Sequence, residues 1–254
     1  MSKISQAFVL AAGLGKRIRS HAPDLPKPLV SVAGRSLLDR VLDQLAAANI
    51  HDVIINVHYL ADKIEAHLQD RNDVSIRFSD ERGELLETGG GLKKALPLMK
   101  PEPILAINSD ALWLDHWQET SLEPALTHMM RTFDANKMDV YLLMVPLDHA
   151  RYFEGKGDFL RDDEGRLTRR PTDYPDDPSA AGLPLPYIYG GIQIIQPHIL
   201  KEVEQNRFSL NTIYDNALKK GRLYGHVFGG TWMHIGNPEA VKDAEEYFEK
   251  AAQK

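Results

Sequence analysis

Strand-like and helix-like patterns alternate along residues 1–145, and this alternation limits the possible fold more than any other feature. Apolar runs rich in β-branched residues are typical of strands, and they occur at residues 7–10, 53–57, 74–78, 104–107 and 139–145. Between them, apolar residues recur at helical spacing, as in Leu37, Leu38, Val41, Leu42 and Leu45. Strands that alternate with helices predict a parallel sheet covered on both faces, with right-handed crossovers.

The second half of the chain has a different character. Residues 155–170 are polar and contain turn signals, and residues 171–186 include five prolines, which predicts a long loop or lid. Strand patterns return at residues 187–195 and 223–228, and helical patterns at 210–219 and 238–251. In the first half, Pro97 is expected to shorten the helix around Leu92 or to delay its start.

The overall composition excludes several classes of protein. A length of 254 residues suits one large α/β domain, and the absence of cysteine excludes disulfides and thiolate metal sites. The net charge of −6 argues against a nucleic-acid partner. The apolar run near the N-terminus is too short for a signal peptide or a membrane span. We therefore expect a cytoplasmic protein that binds neither nucleic acid nor membrane.

A loop with two glycines follows the first predicted strand. Residues 10–17 read LAAGLGKR, and Lys27 follows between two prolines. Glycines allow the backbone to approach a phosphate closely, with N–H groups directed at the anion, and Arg17 and Lys27 add positive charge. Ile18 replaces the third glycine of the dinucleotide fingerprint, and no Gly-Lys-Ser/Thr ends the loop as in a P-loop. The pattern favours a phosphate-binding loop over a plain βα turn with solvated basic residues.

A carboxylate follows the fourth predicted strand. Ligands of an open α/β sheet bind outside the carboxyl ends of its strands, and Asp110 comes directly after residues 104–107. A carboxylate there can bind Mg²⁺ and bridge it to phosphate oxygens, and the alternative is an Asp that caps the next helix.

These segments resemble the signature of the sugar-1-phosphate nucleotidylyltransferase family. The resemblance begins with LAAGLGKRIRS at 10–20 and LPKPLVSVAGRSLLDRVL at 25–42. It continues through LETGGG at 86–91, NSD at 108–110, GDF at 157–159, GGI at 190–192 and WMHIG at 232–236. It covers the chain from Ala7 to about Phe248. It implies a Rossmann-like, mostly parallel sheet with helices on both faces, plus a small sugar-binding β subregion.

The resemblance also implies roles for single residues. It implies that Arg17, Lys27 and Asp110 are catalytic, and that residues 1–145 and 146–254 are the nucleotide-binding and sugar-binding halves of one domain. The nucleotide contacts it implies are Leu10, Ala11, Ala12, Gly13, Gly15, Arg17, Thr88, Gly89 and Gly90. The sugar contacts are Gly157, Asp158 and Gly191, although an exposed turn is the alternative for Asp158. His58 is expected to be structural, and Trp113, Trp117, Met129 and Met130 are expected to lie in the core.

The chain departs from the family pattern at one expected metal ligand. The family usually has a second metal-binding aspartate where this chain has His234. Histidine is a poor Mg²⁺ ligand and suits softer metals such as Mn²⁺, Co²⁺ or Zn²⁺. Three alternatives stay open: His234 binds such a metal, His234 contacts a phosphate, or Asp110 holds Mg²⁺ with water and substrate oxygens alone. The last is favoured.

The resemblance is strongest to a short class that includes N-acetylmuramate-1-phosphate uridylyltransferases and mannose-1-phosphate guanylyltransferases. It favours UTP and N-acetylmuramate 1-phosphate as substrates in nucleotide-sugar biosynthesis for the cell wall, with GTP and mannose 1-phosphate as the alternative. A regulatory nucleotide-binding protein without turnover is an alternative of another class, supported only by His234. A monomer or a homodimer is expected.

Overall fold

The computed structural model describes residues 4–18, 22–115 and 123–252. The longer helices are α1 (Leu37–Ala47), α2 (Ala61–Leu68), α3 (Glu87–Ala95), α4 (Ala125–Thr132), α5 (Pro197–Lys201), α6 (Leu210–Lys219) and α7 (Pro238–Ala252). The strands are β1 (Gln6–Leu10), β2 (Ser31–Val32), β3 (Arg35–Ser36), β4 (Asp52–Val57), β5 (Ser75–Asp80), β6 (Ile104–Asn108), β7 (Ala111–Leu114), β8 (Val140–Pro146), β9 (Ala150–Arg151), β10 (Phe159–Arg161), β11 (Leu167–Arg169), β12 (Tyr187–Ile195), β13 (Leu223–Val227) and β14 (Thr231–His234).

Four parallel strands of the first half form one side of the main sheet, in the order β5-β4-β1-β6. β1, β4 and β6 are almost fully buried, whereas β5 lies at the edge and is partly exposed. Because these strands run in the same direction, β1, β4 and β6 all end at one edge of the sheet. That edge is where ligands of α/β proteins bind.

The mostly parallel sheet is confirmed, but its second half is joined in a way that the alternation did not predict. The fifth predicted strand, β8, does not lie beside β6. Instead β12 lies between them and pairs antiparallel with both. β12 is a nine-residue strand with seven buried positions, so it is stable at the centre of a sheet. The two halves of the chain therefore share one sheet, and both contribute residues to the two largest hydrophobic clusters.

A smaller three-stranded sheet lies next to this edge, in the order β7-β14-β9. In the β7–β14 pair, His234 is the register partner of Ala111. This register places the end of β14 beside Ala111, the residue that follows Asp110. The predicted 171–186 loop contains no helix or strand, and the polar segment before it forms the β10–β11 hairpin.

The helices follow the predicted patterns closely. In α1 all five predicted apolar positions are buried, and Ser36 caps the helix by accepting a hydrogen bond from the Asp39 N–H. The α6 range matches the prediction, and Asn237 caps α7 through the Ala240 N–H.

The N-terminal end of α3 differs from the prediction. We expected Pro97 to shorten the helix or to delay its start; the helix does end before it, at Ala95, but it begins early, at Glu87, and contains three glycines. All three glycines are buried, and close contacts compensate for the low helix propensity of glycine.

Trp113 and Met129 are buried in the core, and Met130 packs against it, as predicted. Trp117 lies outside the described residues. Among the described residues, no helix has the length and apolar character that a membrane span requires.

Candidate active site

A cavity of about 250 Å³ opens at the carboxyl ends of β1, β4 and β6. It lies where the strand pattern predicted a ligand site. Seven of the predicted site residues line it, and they are Leu10, Ala11, Ala12, Gly13, Lys27, Thr88 and Asp110. Six further lining residues were not predicted as contacts, and they are Pro28, Asn56, Leu85, Glu87, Asn108 and Ser109.

The glycine loop turns tightly after β1. Gly15 has a φ of +57°, a conformation that favours glycine, and its carbonyl accepts a hydrogen bond from the Ile18 N–H at 3.0 Å. A Cβ on Gly15 would lie 3.0 Å from the Cβ of Lys27. The positive φ and the close approach to the Lys27 Cβ together explain why the second position of the motif is a glycine.

Lys27 and Asp110 form an ion pair at the cavity. Lys27 begins a short 3₁₀ turn between Pro26 and Pro28, and the fixed φ of proline restricts the backbone on both sides. The Lys27 Nζ lies 2.7 Å from the Asp110 Oδ2, and the two side chains are 13% and 29% exposed. The partial burial makes this pair stronger than a surface ion pair.

His234 is the second partner of Asp110. Its Nε2 lies 3.4 Å from the same carboxylate oxygen, as the β7–β14 register requires. Burial opposes the charge of Asp110, but the hydrogen bond from His234 and the positive charge of Lys27 outweigh it and hold the pKa of Asp110 well below its usual range. Asp110 is therefore a carboxylate at every physiological pH.

Arg17 lies at the rim, outside the cavity lining. Its side chain is exposed, and within the described ranges it has no hydrogen bond or ion pair. A Cβ on Gly236 would lie 3.6 Å from an Arg17 guanidinium nitrogen, so the glycine loop and the His234–Gly236 turn are neighbours. The structure thus brings Lys27 and Asp110 together at the cavity and places Arg17 outside its lining, beside Gly236.

The first two N–H groups of the loop differ from the prediction. We expected them to face a phosphate, but both donate to Asn56 Oδ1, the Ala11 N–H at 2.7 Å and the Ala12 N–H at 3.3 Å. Asn56 is the only polar residue between apolar neighbours near the end of the predicted 53–57 strand, and that isolation was an available signal. The N–H groups from Gly13 onward are the ones left for an anion.

The end of β6 is tied to the end of β1. The Ser109 hydroxyl donates to the Leu10 carbonyl at 2.8 Å, and the Ser109 N–H approaches the same oxygen. The Asp110 carbonyl accepts from the Ile235 N–H at 3.1 Å. Asp110 is thus held by backbone contacts to both sheets and does not cap a helix, which excludes the alternative from the sequence.

The glycines of α3 have a packing role in the structure. The Gly89 and Gly90 N–H groups both donate to the Phe208 carbonyl, at 2.9 and 3.0 Å. A Cβ on Gly89 would lie 2.4 Å from the Phe208 ring, and one on Gly90 would lie 2.1 Å from the Asn206 carbonyl oxygen. Thr88 lines the cavity while its hydroxyl accepts from the Leu210 N–H. Base contacts by these three residues stay a prediction.

The predicted sugar contacts lie beside the cavity and do not line it. Gly157 has a φ of +81° and packs against Pro186. Asp158 is exposed, and one of its carboxylate oxygens accepts from the Tyr189 N–H at 2.9 Å. Gly191 has a φ of +80° at a bulge in β12, and a Cβ there would lie 3.1 Å from Ala111. Gly191 therefore allows β12 to approach the Asp110 turn closely.

Asp110 and His234 are the candidate metal ligands. Within the described residues, no group of three or more His, Asp or Glu side chains is arranged to hold a metal ion. The ring of His58, a possible neighbour of the nucleotide, hydrogen-bonds the Glu81 carbonyl at 2.8 Å and does not line the cavity. This hydrogen bond agrees with the structural role expected of His58, which stays a prediction.

Comparison with known proteins gives one consistent picture. A sequence profile described as nucleotidyl transferase matches residues 6–251. An N-acetylmuramate alpha-1-phosphate uridylyltransferase of Caulobacter vibrioides is 36% identical over 243 residues, which span 94% of this chain and 95% of the relative. A D-glycero-alpha-D-manno-heptose 1-phosphate guanylyltransferase of Aneurinibacillus thermoaerophilus is 27% identical over 244 residues, spanning 95% of this chain and 97% of the relative.

Among solved structures, HddC from Yersinia pseudotuberculosis in complex with GMP-PN superposes with a TM-score of 0.71 at 24% identity. The match covers 98% of this chain and 100% of that one. At this identity the similarity shows the fold alone, which is a nucleotide-diphospho-sugar transferase fold.

Proposed function

Because the chain belongs to the nucleotidyl transferase family, we propose that it transfers a uridylyl group from UTP to N-acetylmuramate 1-phosphate. A phosphate oxygen of the sugar phosphate forms a bond to the α-phosphorus of UTP. The bond from that phosphorus to the bridging oxygen breaks, and its electron pair leaves on pyrophosphate. The product is a nucleotide-sugar for cell-wall biosynthesis.

The observation that carries this proposal is that the Lys27–Asp110 pair and residues 10–13 of the glycine loop line one cavity at the sheet edge. The nucleophile is already an anion, so the reaction needs no general base. It needs alignment and neutralisation of charge, which a lysine and backbone N–H groups supply. The full-length similarity to the Caulobacter vibrioides enzyme supports the uracil base and the sugar.

The residues of the first half have distinct roles in this scheme. The loop N–H groups from Gly13 onward hold the phosphates, because those of Ala11 and Ala12 are engaged by Asn56. Lys27 stabilises the charge that moves onto the α-phosphoryl group and pyrophosphate, and Arg17 adds a second cation from the rim. Leu10, Gly15, Thr88, Gly89 and Gly90 complete the proposed nucleotide site.

The residues also suit a divalent metal. Asp110 Oδ2 is shared by Lys27 and His234, and the other carboxylate oxygen has no partner among the described residues. One carboxylate with water and substrate oxygens is a common Mg²⁺ arrangement, and the imidazole of His234 extends the choice to Mn²⁺. We therefore propose that Asp110 would hold a bound Mg²⁺, which would neutralise phosphate charge, and that Lys27 contacts the phosphates.

The sugar phosphate is proposed to enter from the second half, beside Gly157, Asp158 and Gly191. The close approach of Gly191 to Ala111 connects this region directly to the Asp110 turn. The other carboxylate oxygen of Asp158 has no hydrogen-bond partner among the described residues, so we propose that it accepts from sugar hydroxyls.

GTP is the second candidate nucleotide. It is favoured by the guanylyltransferase relative at 27% identity and by the GMP-PN bound to the structural neighbour. Mannose 1-phosphate was the sugar expected with it. A nucleotide-binding protein without turnover is the third candidate. Cytoplasmic location and a monomer or homodimer remain predictions.

One experiment separates these candidates. Pyrophosphate release is measured with UTP, GTP, CTP, ATP and dTTP, each with N-acetylmuramate, mannose and N-acetylglucosamine 1-phosphates, first in Mg²⁺ and then in Mn²⁺. We expect the highest kcat/KM with UTP and N-acetylmuramate 1-phosphate. A preference for GTP selects the second candidate, and nucleotide binding with no pyrophosphate release from any pair selects the third.

A further inference from the structure

Asn56 and Glu81 form a buried polar pair beneath the cavity. Asn56 is the fifth residue of β4 and is 2% exposed, and Glu81 follows β5 and is fully buried. Asn56 Nδ2 donates to Glu81 Oε1 at 2.7 Å, and Glu81 Oε2 accepts from the Leu86 N–H at 3.1 Å. With Asn56 Oδ1 on the Ala11 and Ala12 N–H groups, the pair forms a continuous chain of hydrogen bonds from the glycine loop to Leu86.

The chain of hydrogen bonds has one consistent direction. Ala11, Ala12 and Leu86 present only N–H donors to it, so the Glu81 carboxylate must accept at both oxygens and Asn56 must turn its amide nitrogen toward Glu81. Glu81 therefore determines which way the Asn56 amide faces. Without it, the Asn56 oxygen would no longer be directed at the loop.

Burying the Glu81 carboxylate at this position costs free energy, and a role in positioning other residues would explain why it is there. A buried carboxylate is unfavourable unless it is paired, and no Lys, Arg or His side chain in the described segments lies within ion-pair distance of it. Its stabilising contacts are the Asn56 amide and the backbone at the start of α3.

A second observation points to the same pair. A Cβ on Gly91 would lie 2.5 Å from Glu81 Oε1 and 2.9 Å from Asn56 Nδ2. α3 therefore packs directly onto the pair, and the last glycine of the 86–91 segment is required by it. The glycine run of α3 has its own explanation at each position, in Phe208, Asn206 and this pair.

The two ends of the chain both reach the cavity. Ala11 and Ala12 line it where the phosphates are proposed to bind, and Leu85, Glu87 and Thr88 line it on both sides of Leu86. We propose that Glu81 is a positioning residue for nucleotide binding, which acts through Asn56 on the glycine loop and through Leu86 on residues 85–88. The inference rests on the proposed function, because it names the ligand of that cavity as a nucleoside triphosphate.

An exchange of carboxylate and amide between the two positions tests this directly. Glu81→Gln leaves an amide nitrogen facing a donor, either at Leu86 or, after the Asn56 amide turns, at the loop. Asn56→Asp sets two carboxylates against each other. In the double variant every N–H donor again faces an acceptor oxygen. The net charge is unchanged, because the carboxylate has only moved from position 81 to position 56.

We expect each single variant to weaken UTP binding by about 10- to 100-fold, as for an unsatisfied buried group. The double variant should bind UTP at least about tenfold more tightly than Asn56→Asp alone, as for residues in direct contact. The measurement is calorimetric Kd for UTP, with KM and kcat from pyrophosphate release, and KM should change more than kcat.

Gln6→Glu is the matched control. Gln6 is also fully buried, and its side chain makes the same type of contacts, with the Lys100 backbone, but at the opposite end of β1. It should lower the melting temperature and leave the UTP affinity of the folded protein within about threefold, as for a site remote from the ligand.

If Glu81→Gln does not fold, Gly91→Ala moves the pair without removing a polar atom and carries the same expectation for UTP affinity. The inference is overturned if the folded single variants keep wild-type UTP affinity, or if the losses simply add in the double variant. These results are distinct from a failure of the proposed function, in which the wild-type protein itself releases no pyrophosphate.

Discussion

The first and second halves of the chain reach the candidate site in different ways. In the first half, the cavity residues follow buried parallel strands and are held by side-chain and backbone hydrogen bonds, such as those of Asn56 and Ser109. In the second half, residues 171–186 form a long loop without helix or strand, and Leu183 and Leu185 are among the few large apolar side chains that are exposed.

This difference separates two kinds of recognition. Every nucleoside triphosphate presents the same phosphates, so they can be bound by a backbone that is fixed before binding, and fixed dipoles stabilise charge without reorganisation. Sugars differ, and loops tolerate changes in sequence better than buried strand ends. We therefore expect the chemistry to depend on the first half and the choice of sugar on the second.

The largest expected effect comes from removing the central ion pair. Lys27→Ala and Asp110→Ala should each reduce turnover by about two orders of magnitude or more, because each removes charge stabilisation in a partly enclosed site. The measurement is kcat for pyrophosphate release at saturating substrates, with circular dichroism to show that the variants fold.

Lys156→Ala and Asp176→Ala are the matched controls from the second half. Their ion pair is as short, with 2.5 Å between Lys156 Nζ and Asp176 Oδ1, but the side chains are 61% and 79% exposed. Such pairs contribute little, so kcat should stay within about threefold of wild type. Equal losses in the two pairs would contradict the proposed division between the halves.

The second largest expected effect is a pH dependence of the free energy of unfolding, and it arises from His226 in the second half. His226 in β13 stacks on His128 with 4.2 Å between ring centroids. Burial, with the nearby positive charges of His128 and Arg161, lowers the pKa of His226 from 6.5 to about 4, against a small opposing effect of Glu123. The native state therefore keeps this ring neutral, while the unfolded chain protonates it below pH 6.5.

The sign of the pH effect follows from that difference. The unfolded state binds more protons between pH 4 and 6.5, so the free energy of unfolding is highest above this window and falls as the pH drops through it. From pH 7 to pH 5 the wild type should lose about 2 kcal/mol more than His226→Phe, which keeps an aromatic ring. Urea unfolding at both pH values measures this.

Asp110 provides the contrast within the same experiment. Its pKa is lowered from an ordinary value of 3.8, so its contribution is present above that pH and is lost only as the pH falls further. Asp110 should therefore keep its charge at pH 5 while the protein as a whole loses stability through His226. A parallel pH dependence for wild type and His226→Phe would show that His226 is not the source.

The sequence predicted correctly those features that depend on a single strand or on the loop that directly follows it. The buried runs predicted β1, β4 and β6, and the rule of carboxyl ends brought Gly13, Lys27 and Asp110 to one cavity. Those positions depend on the direction of the strands and on short loops, and both can be read from the local sequence.

The sequence did not predict features that depend on contacts between residues far apart in the chain. The insertion of β12 between β6 and β8 depends on pairing over more than 80 residues, for which periodicity has no signal. The Asn56–Glu81 pair was missed for the same reason, because the two residues are 25 positions apart and one of them does not line the cavity. The packing of Gly89 against Phe208 and of Gly90 against Asn206 was not predicted either, and the base contacts of both glycines stay a prediction.

The smallest expected effect compares two glycines that have open space around them. A Cβ on Gly13 or on Gly182 would meet no atom within 4 Å, but Gly13 lines the cavity and Gly182 lies in the 171–186 loop. Gly13→Ala should raise the KM for UTP by about tenfold with little change in melting temperature, because its methyl group occupies space proposed for a phosphate. Gly182→Ala should instead lower the stability and leave the KM for UTP unchanged. Its φ of +68° makes alanine strained, so stability falls by about 1 kcal/mol while the KM for UTP is unchanged. If Gly13→Ala bound UTP normally, the phosphates would have to lie elsewhere along the loop, and the first half would be less rigidly matched to its ligand than the comparison of the two halves requires.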